Sequence, residues 1–206
     1  SGANATFKQT LTGLNNQGIG EFTVDAGGNV VLNGLLSNSA LTVSADGLVD
    51  VVKPVFTAGD VNLAGKTLTV ESNADINTKG LSGNVTGKAL NLTSTGNMTV
   101  KGNLLTGNAA INLQVQNGSL TTVGDIAIDS GSAGLALKAG GNVSLGSLCL
   151  SSGECGSKAA AQTTAAAVIT SENGNITLTG DLLADRSLLL TANNGALTLG
   201  GIDLSS

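Results

Sequence analysis

The chain repeats one short pattern of apolar and polar residues along most of its length. Each copy reads apolar-x-apolar-x-small, then a turn with Asn and Gly, then apolar-x-apolar-x-Gly-x-apolar, as in LNLTSTGNMTVKGNL from Leu90 and LLLTANNGALTLGGI from Leu188. Self-similarity at steps of 19 to 32 residues is typical of solenoid proteins. The second apolar position marks eight copies, at Val24, Val43, Val70, Leu92, Leu113, Leu137, Ile169 and Leu190.

Within each copy, apolar and polar residues alternate, which predicts short half-buried strands. The Gly and Asn residues between the strands favour sharp corners. Because like positions recur in every copy, we expect coils stacked at about 4.8 Å, in a rod of roughly 40 Å. Parallel crossovers are nearly always right-handed. The predicted fold is therefore all-β, a right-handed parallel β-helix of about eight coils. Residues 1–19 are predicted to be a lead-in or partial coil, and residues 20–206 the repeat domain.

The composition argues against several classes of function. The chain has no His, Trp or Tyr and three Phe, so its core must be built from aliphatic side chains. The net charge is −5, and the charges are spread too thinly for a nucleic-acid surface or a polybasic membrane anchor. No segment approaches the ~20 apolar residues that span a bilayer. We therefore expect no nucleic-acid partner and no membrane insertion. No signal peptide opens the sequence, and we expect a piece of a longer chain.

The longest break in the repeat is the segment 149–167, CLSSGECGSKAAAQTTAAA, which we predict to be an extended loop. It holds the two cysteines, Cys149 and Cys155. A local disulfide is the leading interpretation, and two unpaired thiols are the alternative. A metal site is not predicted, because the chain has no His and two thiolates rarely bind zinc alone. Loops on rigid scaffolds often carry binding residues, and the candidates here are Glu154, Lys158 and Gln162.

A second break, 51–58, contains the only proline. Pro54 cannot donate a hydrogen bond to a strand ladder, so this segment is predicted to form a corner or a bulge, with Phe56 capping or filling a wider section of the coil. The structural role accounts for this segment without a binding function.

Residues for catalysis are sparse. Without His, the usual general base and the Ser-His-Asp arrangement are absent. Asp125 with Asp129, and Asp181 with Asp185, are carboxylates four residues apart, interpreted as turn residues facing water, with a weak Ca²⁺ contact as the alternative. Thr-x-Thr spacing occurs twice but does not recur coil after coil, as ice-binding helices require. We predict no enzyme, no catalytic residue, no cofactor and no metal. A polysaccharide-acting β-helix enzyme is the remote alternative.

The copies LNLTSTGNMTVKGNL, NGNITLTGDL and LLLTANNGALTLGGIDL resemble the repeats of filamentous-haemagglutinin-type exoproteins. Proteins of this type are secreted through the outer membrane by a dedicated partner pore, in two-partner secretion, and include adhesins and the stalks of contact-dependent growth-inhibition toxins. The resemblance covers about residues 20–206. It implies a secreted β-helical filament segment at a Gram-negative cell surface, the partner pore during secretion, and a role in virulence.

Repeat and resemblance together lead us to expect a structural or adhesive segment of a bacterial surface filament. Such a segment is a rigid shaft that presents binding surfaces to a receptor on host or neighbouring cells. The alternative is the receptor-binding region of a contact-dependent growth-inhibition exoprotein, acting through the 149–167 loop.

Overall fold

The structure is a computed structural model, and it describes residues 3–8, 11, 20–79, 87–150, 163–184 and 186–200. The regular elements of these residues are all strands, and none of them forms a helix long and apolar enough to cross a membrane. In chain order the strands are β1 (Ala5–Phe7), β2 (Phe22–Ala26), β3 (Val30–Ser37), β4 (Leu41–Ala45), β5 (Leu48–Thr57), β6 (Val61–Gly65), β7 (Thr67–Val70), β8 (Ile76–Asn77), β9 (Leu90–Ser94), β10 (Met98–Val100), β11 (Leu104–Leu105), β12 (Ile111–Val115), β13 (Leu120–Thr122), β14 (Ile126–Asp129), β15 (Leu135–Ala139), β16 (Val143–Leu145), β17 (Leu148–Leu150), β18 (Thr163–Ser171), β19 (Ile176–Leu178), β20 (Leu182–Ala184), β21 (Arg186–Ala192) and β22 (Leu197–Leu199).

The strands lie on three faces of a solenoid, and every pair is parallel. Face 1 is an eight-stranded sheet in the order β2-β4-β6-β9-β12-β15-β18-β21. Face 2 runs from β1 through the first parts of β3 and β5 to β7, β10, β13, β16, β19 and β22. Face 3 runs from the second parts of β3 and β5 to β8, β11, β14, β17 and β20. The all-β solenoid of about eight stacked coils is thus confirmed.

Like residues stack on like residues along the axis. On face 1, Leu92 of β9 pairs with Leu63 of β6 on one side and with Leu113 of β12 on the other. All three side chains are at most 1% exposed, whereas the intervening outward residue Asn91 is only partly buried. The core therefore consists of continuous columns of Leu, Val, Ile and Ala, closed on each side by the neighbouring coil.

One of the eight predicted repeat markers is wrong. Val70 lies in β7 on face 2, where it pairs with Val51 and Val100, and the face 1 position of this coil belongs to Leu63. The segments around Leu63 and Val70 both alternate apolar and polar residues, because face 1 and face 2 strands share the same period. A single residue, Lys66, separates β6 from β7, so the expected Asn-Gly turn between the two strands is missing.

The proline segment forms the predicted corner. The first part of β5 pairs with β7 and its second part with β8, so the strand turns from face 2 to face 3 near Pro54. The register between β3 and β5 shifts at the same place, between Leu32 and Asn33, as a bulge requires. The prediction for Phe56 was wrong in its position: this side chain is only partly buried, opposite Asn77, and does not belong to the core.

Asparagine side chains join the coils at the corner between face 1 and face 2. The Asn142 Oδ1 accepts a hydrogen bond from the Asn175 N–H of the next coil at 2.8 Å, and the Asn175 Oδ1 accepts one from the Ala196 N–H at 2.8 Å. The Asn29 Oδ1 accepts one from the Leu48 N–H in the same way. A turn leaves backbone donors without strand partners, and these side chains satisfy them. This explains why Asn recurs in the repeat.

Candidate functional site

The predicted binding loop leaves the solenoid at the third corner, defined here as the turn that joins each face 3 strand to the next face 1 strand. The predicted bounds 149–167 are too wide, because Cys149 and Leu150 belong to β17 and β18 begins at Thr163; the segment between the two strands is 151–162. The predicted binding residues Glu154, Lys158 and Gln162 lie outside the described residues, and so does Cys155.

Cys149 belongs to β17 on face 3. It is 8% exposed and pairs with Ala127 of the preceding coil. No cysteine in the described part of the chain is a free thiol. Since Cys155 is outside that part, the bond between the two remains a prediction.

A second long segment leaves from the same corner. The segment between β8 and β9 is 78–89, twelve residues like 151–162, whereas the other third corners between described strands have one to five. The two long segments are separated by three coils, about 14 Å along the axis at the usual strand spacing. The strands that flank both segments thus meet at the same edge of the rod.

Buried hydroxyl groups close the third corner from inside. Thr57 Oγ1 donates to the Gly59 carbonyl at 2.8 Å, and Thr106 Oγ1 donates to the Ala109 carbonyl at 2.6 Å. In the coil with the twelve-residue segment, Thr78 Oγ1 donates to the Lys88 carbonyl at 2.6 Å and so closes the neck of that segment. These hydroxyl residues occupy equivalent positions in successive coils, are fully buried and hold the corner backbone in place. They are Ser37, Thr57, Thr78, Thr106 and Ser130.

A salt bridge crosses the third corner over one intervening coil. Lys79 Nζ lies 3.0 Å from Asp129 Oδ2, and Asp129 Oδ1 accepts the Gly131 N–H at 2.8 Å. Between them lies Gly107, whose φ is +60° and where a Cβ would lie 2.5 Å from Lys79 Cε. Glycine is needed here both for the left-handed backbone and for the lysine side chain above it. The interpretation of Asp129 as a turn residue facing water is therefore wrong.

Arg186, the only arginine in the sequence, makes hydrogen bonds across the third corner nearer the C-terminal end of the solenoid. Its side chain is buried; one guanidinium nitrogen donates to Ser130 Oγ at 2.7 Å and to the Ala133 carbonyl at 3.1 Å, and the other to the Gly131 carbonyl at 2.7 Å. These partners lie in the turn between β14 and β15, while Arg186 begins β21. The guanidinium thus spans the coil from which 151–162 departs, and fixes the solenoid on both sides of that departure. No local sequence pattern indicates this role, because the partners of Arg186 are more than fifty residues away in the chain.

The described carboxylates of the two Asp pairs lie apart. Asp125 and Asp181 are exposed and occupy equivalent positions, as the sequence indicates, but Ser147 of the intervening coil separates them. Asp185 lies outside the described residues. Within the described ranges, no three acidic or cysteine side chains are grouped to hold a metal ion.

One charged cluster lies on face 2. Asp50 stands between Val31 and Thr69 in the outward file, near the ion pair of Lys101 Nζ with Glu71 Oε2 at 2.8 Å. Burial raises the pKa of the Asp50 carboxyl, and Glu71 raises it further, while Lys101 acts in the opposite direction. Among the described residues, Asp50 Oδ1 is the one buried side-chain oxygen without a hydrogen-bond partner. The ionised form of the Asp50 carboxyl is therefore less favourable in the folded protein than in water.

Two uncharged files run along the outer faces. On face 1, Asn112 Nδ2 donates to Asn91 Oδ1, and Asn91 Nδ2 to Asn62 Oδ1, each at 2.8 Å. On face 2 a file of single hydroxyl residues recurs in six successive coils, while the Thr-x-Thr spacing itself does not recur. Its members are Thr69, Thr99, Thr121, Ser144, Thr177 and Thr198.

Replacing Arg186 tests the corner. Arg186→Ala should lower the free energy of unfolding by about 1–3 kcal/mol, because it removes the three hydrogen bonds that the guanidinium makes to the turn and leaves the buried Gly131 carbonyl without its donor. Arg186→Lys should lower the free energy of unfolding by less than Arg186→Ala does. Lys138→Ala is the matched control, since its pair with Glu172 is exposed and such pairs contribute about 0–1 kcal/mol. Urea unfolding followed by circular dichroism measures all three; equal losses for Arg186→Ala and Lys138→Ala would contradict the assigned role.

Asp50→Asn should stabilise the protein at neutral pH. Because the folded-state pKa is raised, the contribution of Asp50 to stability is fully present below its unfolded pKa and is lost as pH rises through the folded pKa. The neutral amide removes this loss. The free energy of unfolding of Asp50→Asn should therefore exceed that of the parent protein increasingly as pH rises, and the two values should converge in acid. Urea unfolding between pH 3 and pH 8, about the range over which carboxyls titrate, measures it. Asp125→Asn, at an exposed turn, is the control; parallel pH profiles for Asp50→Asn and the parent would refute the assignment.

Among known proteins, no family model, no curated protein and no solved structure matches this chain. The function is therefore argued from its own geometry.

Proposed function

We propose that this chain is a structural and adhesive segment of a secreted bacterial surface filament. In this role it is a rigid shaft that holds binding surfaces away from the cell and presents them to a receptor on host or neighbouring cells. The observation that carries the proposal is the departure of the twelve-residue segment 151–162 from one edge of a solenoid whose coils stack in parallel on both sides of it.

The uniformity of the rod supports the spacing role. Its core is one continuous cluster of aliphatic residues with parallel neighbours in every coil, so bending it requires breaking many backbone hydrogen bonds together. Each coil adds about 4.8 Å of length. Such a rod keeps the distances between points along its axis fixed.

The third corner supports the binding role. Loops held by a rigid scaffold are where proteins most often place recognition residues. Here the scaffold next to 151–162 is reinforced by the buried Arg186 guanidinium, and the neck of 78–89 by Thr78 and Lys88. The neck of 78–89 is closed by the same kind of hydroxyl contact as the short corners, and the coils on either side of 151–162 are joined by the Arg186 guanidinium as well. This favours a departure point that keeps its position.

A second candidate is the receptor-binding region of a contact-dependent growth-inhibition exoprotein. The specific observation in its favour is the Arg186 contact, which selects the 151–162 departure among the corners. In that case the segment itself recognises a receptor on a neighbouring bacterium, and Glu154, Lys158 and Gln162 are the residues we assign to it.

Cell binding with matched corner variants tests the proposal. In one variant the turn 130–134 replaces 151–162; in the control the same turn replaces 80–86, at the same edge three coils away. Cys149 becomes Ala in the first, and Cys149→Ala with Cys155→Ala in an otherwise intact chain controls for the thiols. Fluorescently labelled protein is then titrated onto epithelial cells and onto Gram-negative bacteria.

We expect saturable binding of the intact chain that falls at least tenfold when 151–162 is replaced and persists when 80–86 is replaced. Binding only to bacteria would favour the second candidate, and binding to epithelial cells the adhesive one. Absence of saturable binding to both cell types, with the circular dichroism spectrum retained, would reject the adhesive proposal and leave a shaft alone.

A further inference from the structure

The sequence contains the triplet Asn-x-Ser or Asn-x-Thr, in which x is not proline, seven times. This triplet is the acceptor motif for N-linked glycosylation, and it also arises without any modification in a repeat rich in Asn and Thr. Six of the seven lie in the described part of the chain, where their side-chain contacts separate the two cases. Asn84 lies outside it, and the six are Asn4, Asn91, Asn97, Asn117, Asn142 and Asn175.

The repeat itself produces four of these triplets. Each asparagine stands directly before a face 2 strand, and the hydroxyl residue of the triplet is the second residue of that strand, on its outer side. In each case the asparagine Oδ1 accepts a backbone N–H of the next coil, at 2.8 to 3.0 Å. The contacts between coils therefore account for these four residues, which are Asn4, Asn97, Asn142 and Asn175.

A fifth triplet belongs to the asparagine file of face 1. The Asn91 Nδ2 donates to Asn62 Oδ1, and the Asn91 Oδ1 accepts from Asn112 Nδ2, each at 2.8 Å. Both ends of this carboxamide are thus engaged by neighbouring coils. Turning it, or any of the four amides before the face 2 strands, towards another protein breaks hydrogen bonds between coils.

Asn117 is the exception among the six. It belongs to the turn 116–119, which joins β12 to β13 and is one residue longer than the turns 95–97 and 140–142 of the neighbouring coils. Its backbone N–H donates to the Thr95 carbonyl at 3.0 Å. Its side chain is exposed and makes no hydrogen bond with any other described residue. A fixed backbone therefore presents a carboxamide that the solenoid does not use.

Equivalent asparagines later in the chain show what this position does elsewhere. Asn173 and Asn194 occupy it in the four-residue turns 172–175 and 193–196. The Asn194 Nδ2 donates to Asn173 Oδ1 at 3.2 Å, so these two join their coils. Neither begins an acceptor triplet. The free amide and the hydroxyl residue two positions later occur together at Asn117 alone among the described asparagines.

We propose that Asn117 is an acceptor for N-linked glycosylation of the folded chain, with Ser119 completing the motif that the transferase reads. The donor is an activated glycosyl phosphate, either a sugar nucleotide or a polyprenyl diphosphate oligosaccharide. The bond from C1 of the sugar to Asn117 Nδ2 forms while the bond from C1 to the phosphate oxygen breaks. The Nδ2 proton passes to a base of the transferase, and the phosphate leaves with the electron pair.

The place of Asn117 in the fold suits such a modification. The turn 116–119 lies at the corner between face 1 and face 2, whereas 151–162 departs from the third corner. A glycan on Asn117 therefore leaves the third corner uncovered. The inference does not depend on the receptor-binding role.

Glycosylation of the folded protein in two separate arms tests the proposal. One arm uses a soluble asparagine-directed transferase with a uridine diphosphate hexose, and the other an oligosaccharyltransferase with a polyprenyl diphosphate oligosaccharide. Peptide mapping by mass spectrometry measures the occupancy of each asparagine. We expect one donor to modify Asn117 more than about fivefold above Asn97 or Asn142, because those amides must first break a hydrogen bond. An unmodified Asn117 in both arms would overturn the proposal, and so would equal occupancy of the three.

Matched variants separate the motif from the turn. Asn117→Gln and Ser119→Ala should each abolish the modification, whereas Asn173→Gln, in the equivalent turn position, should leave it unchanged. Retention of the glycan in Ser119→Ala would contradict recognition of the triplet. Urea unfolding checks the fold: Asn117→Gln should keep the midpoint of the parent protein, and Asn142→Gln should lower it. The protein recovered from the cells that naturally produce it should carry the glycan on Asn117, and an unmodified Asn117 there would also overturn the proposal.

Discussion

The structure depends on burying aliphatic columns between stacked coils. A single coil here has no aromatic ring in its core, and its few branched side chains do not offset the cost of ordering its backbone. Stacking offsets this cost, because each coil buries its side chains against the coil before it and the coil after it, and both edges of each strand form backbone hydrogen bonds. Fully buried side chains such as Leu92 and Leu113 follow from that arrangement, and so does the half-exposed Leu199 at the end.

Polar side chains take over where the strands stop. At the corner between face 1 and face 2, asparagine oxygens accept the backbone donors of the next coil, and at the third corner buried hydroxyls close the turn. Two longer side chains add contacts between coils at this corner: Lys79 and Arg186 each reach across one coil to the turn that begins at Asp129. Face 1 is in register after both insertions from Leu90 and from Ala167 onward, while the pairing of β18 with β21 shifts between Thr163 and Ala167.

Local sequence patterns predicted the fold, but they could not predict contacts between segments that are distant in the chain. Alternation over a few residues predicts strands, and its recurrence predicts the solenoid, because both signals are carried within one coil. The face assignment of Val70 failed because face 1 and face 2 strands alternate alike and Lys66 alone separates them. The buried state of Asp129 and Arg186 depends on partners fifty or more residues away, which no local pattern encodes. The spacing of the repeat placed a loop at 149–167, wider at both ends than the 151–162 segment between β17 and β18, and the predicted binding residues lie outside the described part of the chain.

The distance between spin labels on the outward file of face 1 tests the stacking most directly. In a Cys149→Ala, Cys155→Ala background, labels at positions 44 and 138 are four coils apart, and labels at positions 44 and 191 are six coils apart. At about 4.8 Å for each coil, in-register stacking predicts narrow distributions centred on roughly 19 Å and 29 Å. Broad distributions, or a difference between the two means unrelated to two coil spacings, would contradict the solenoid on which the account rests.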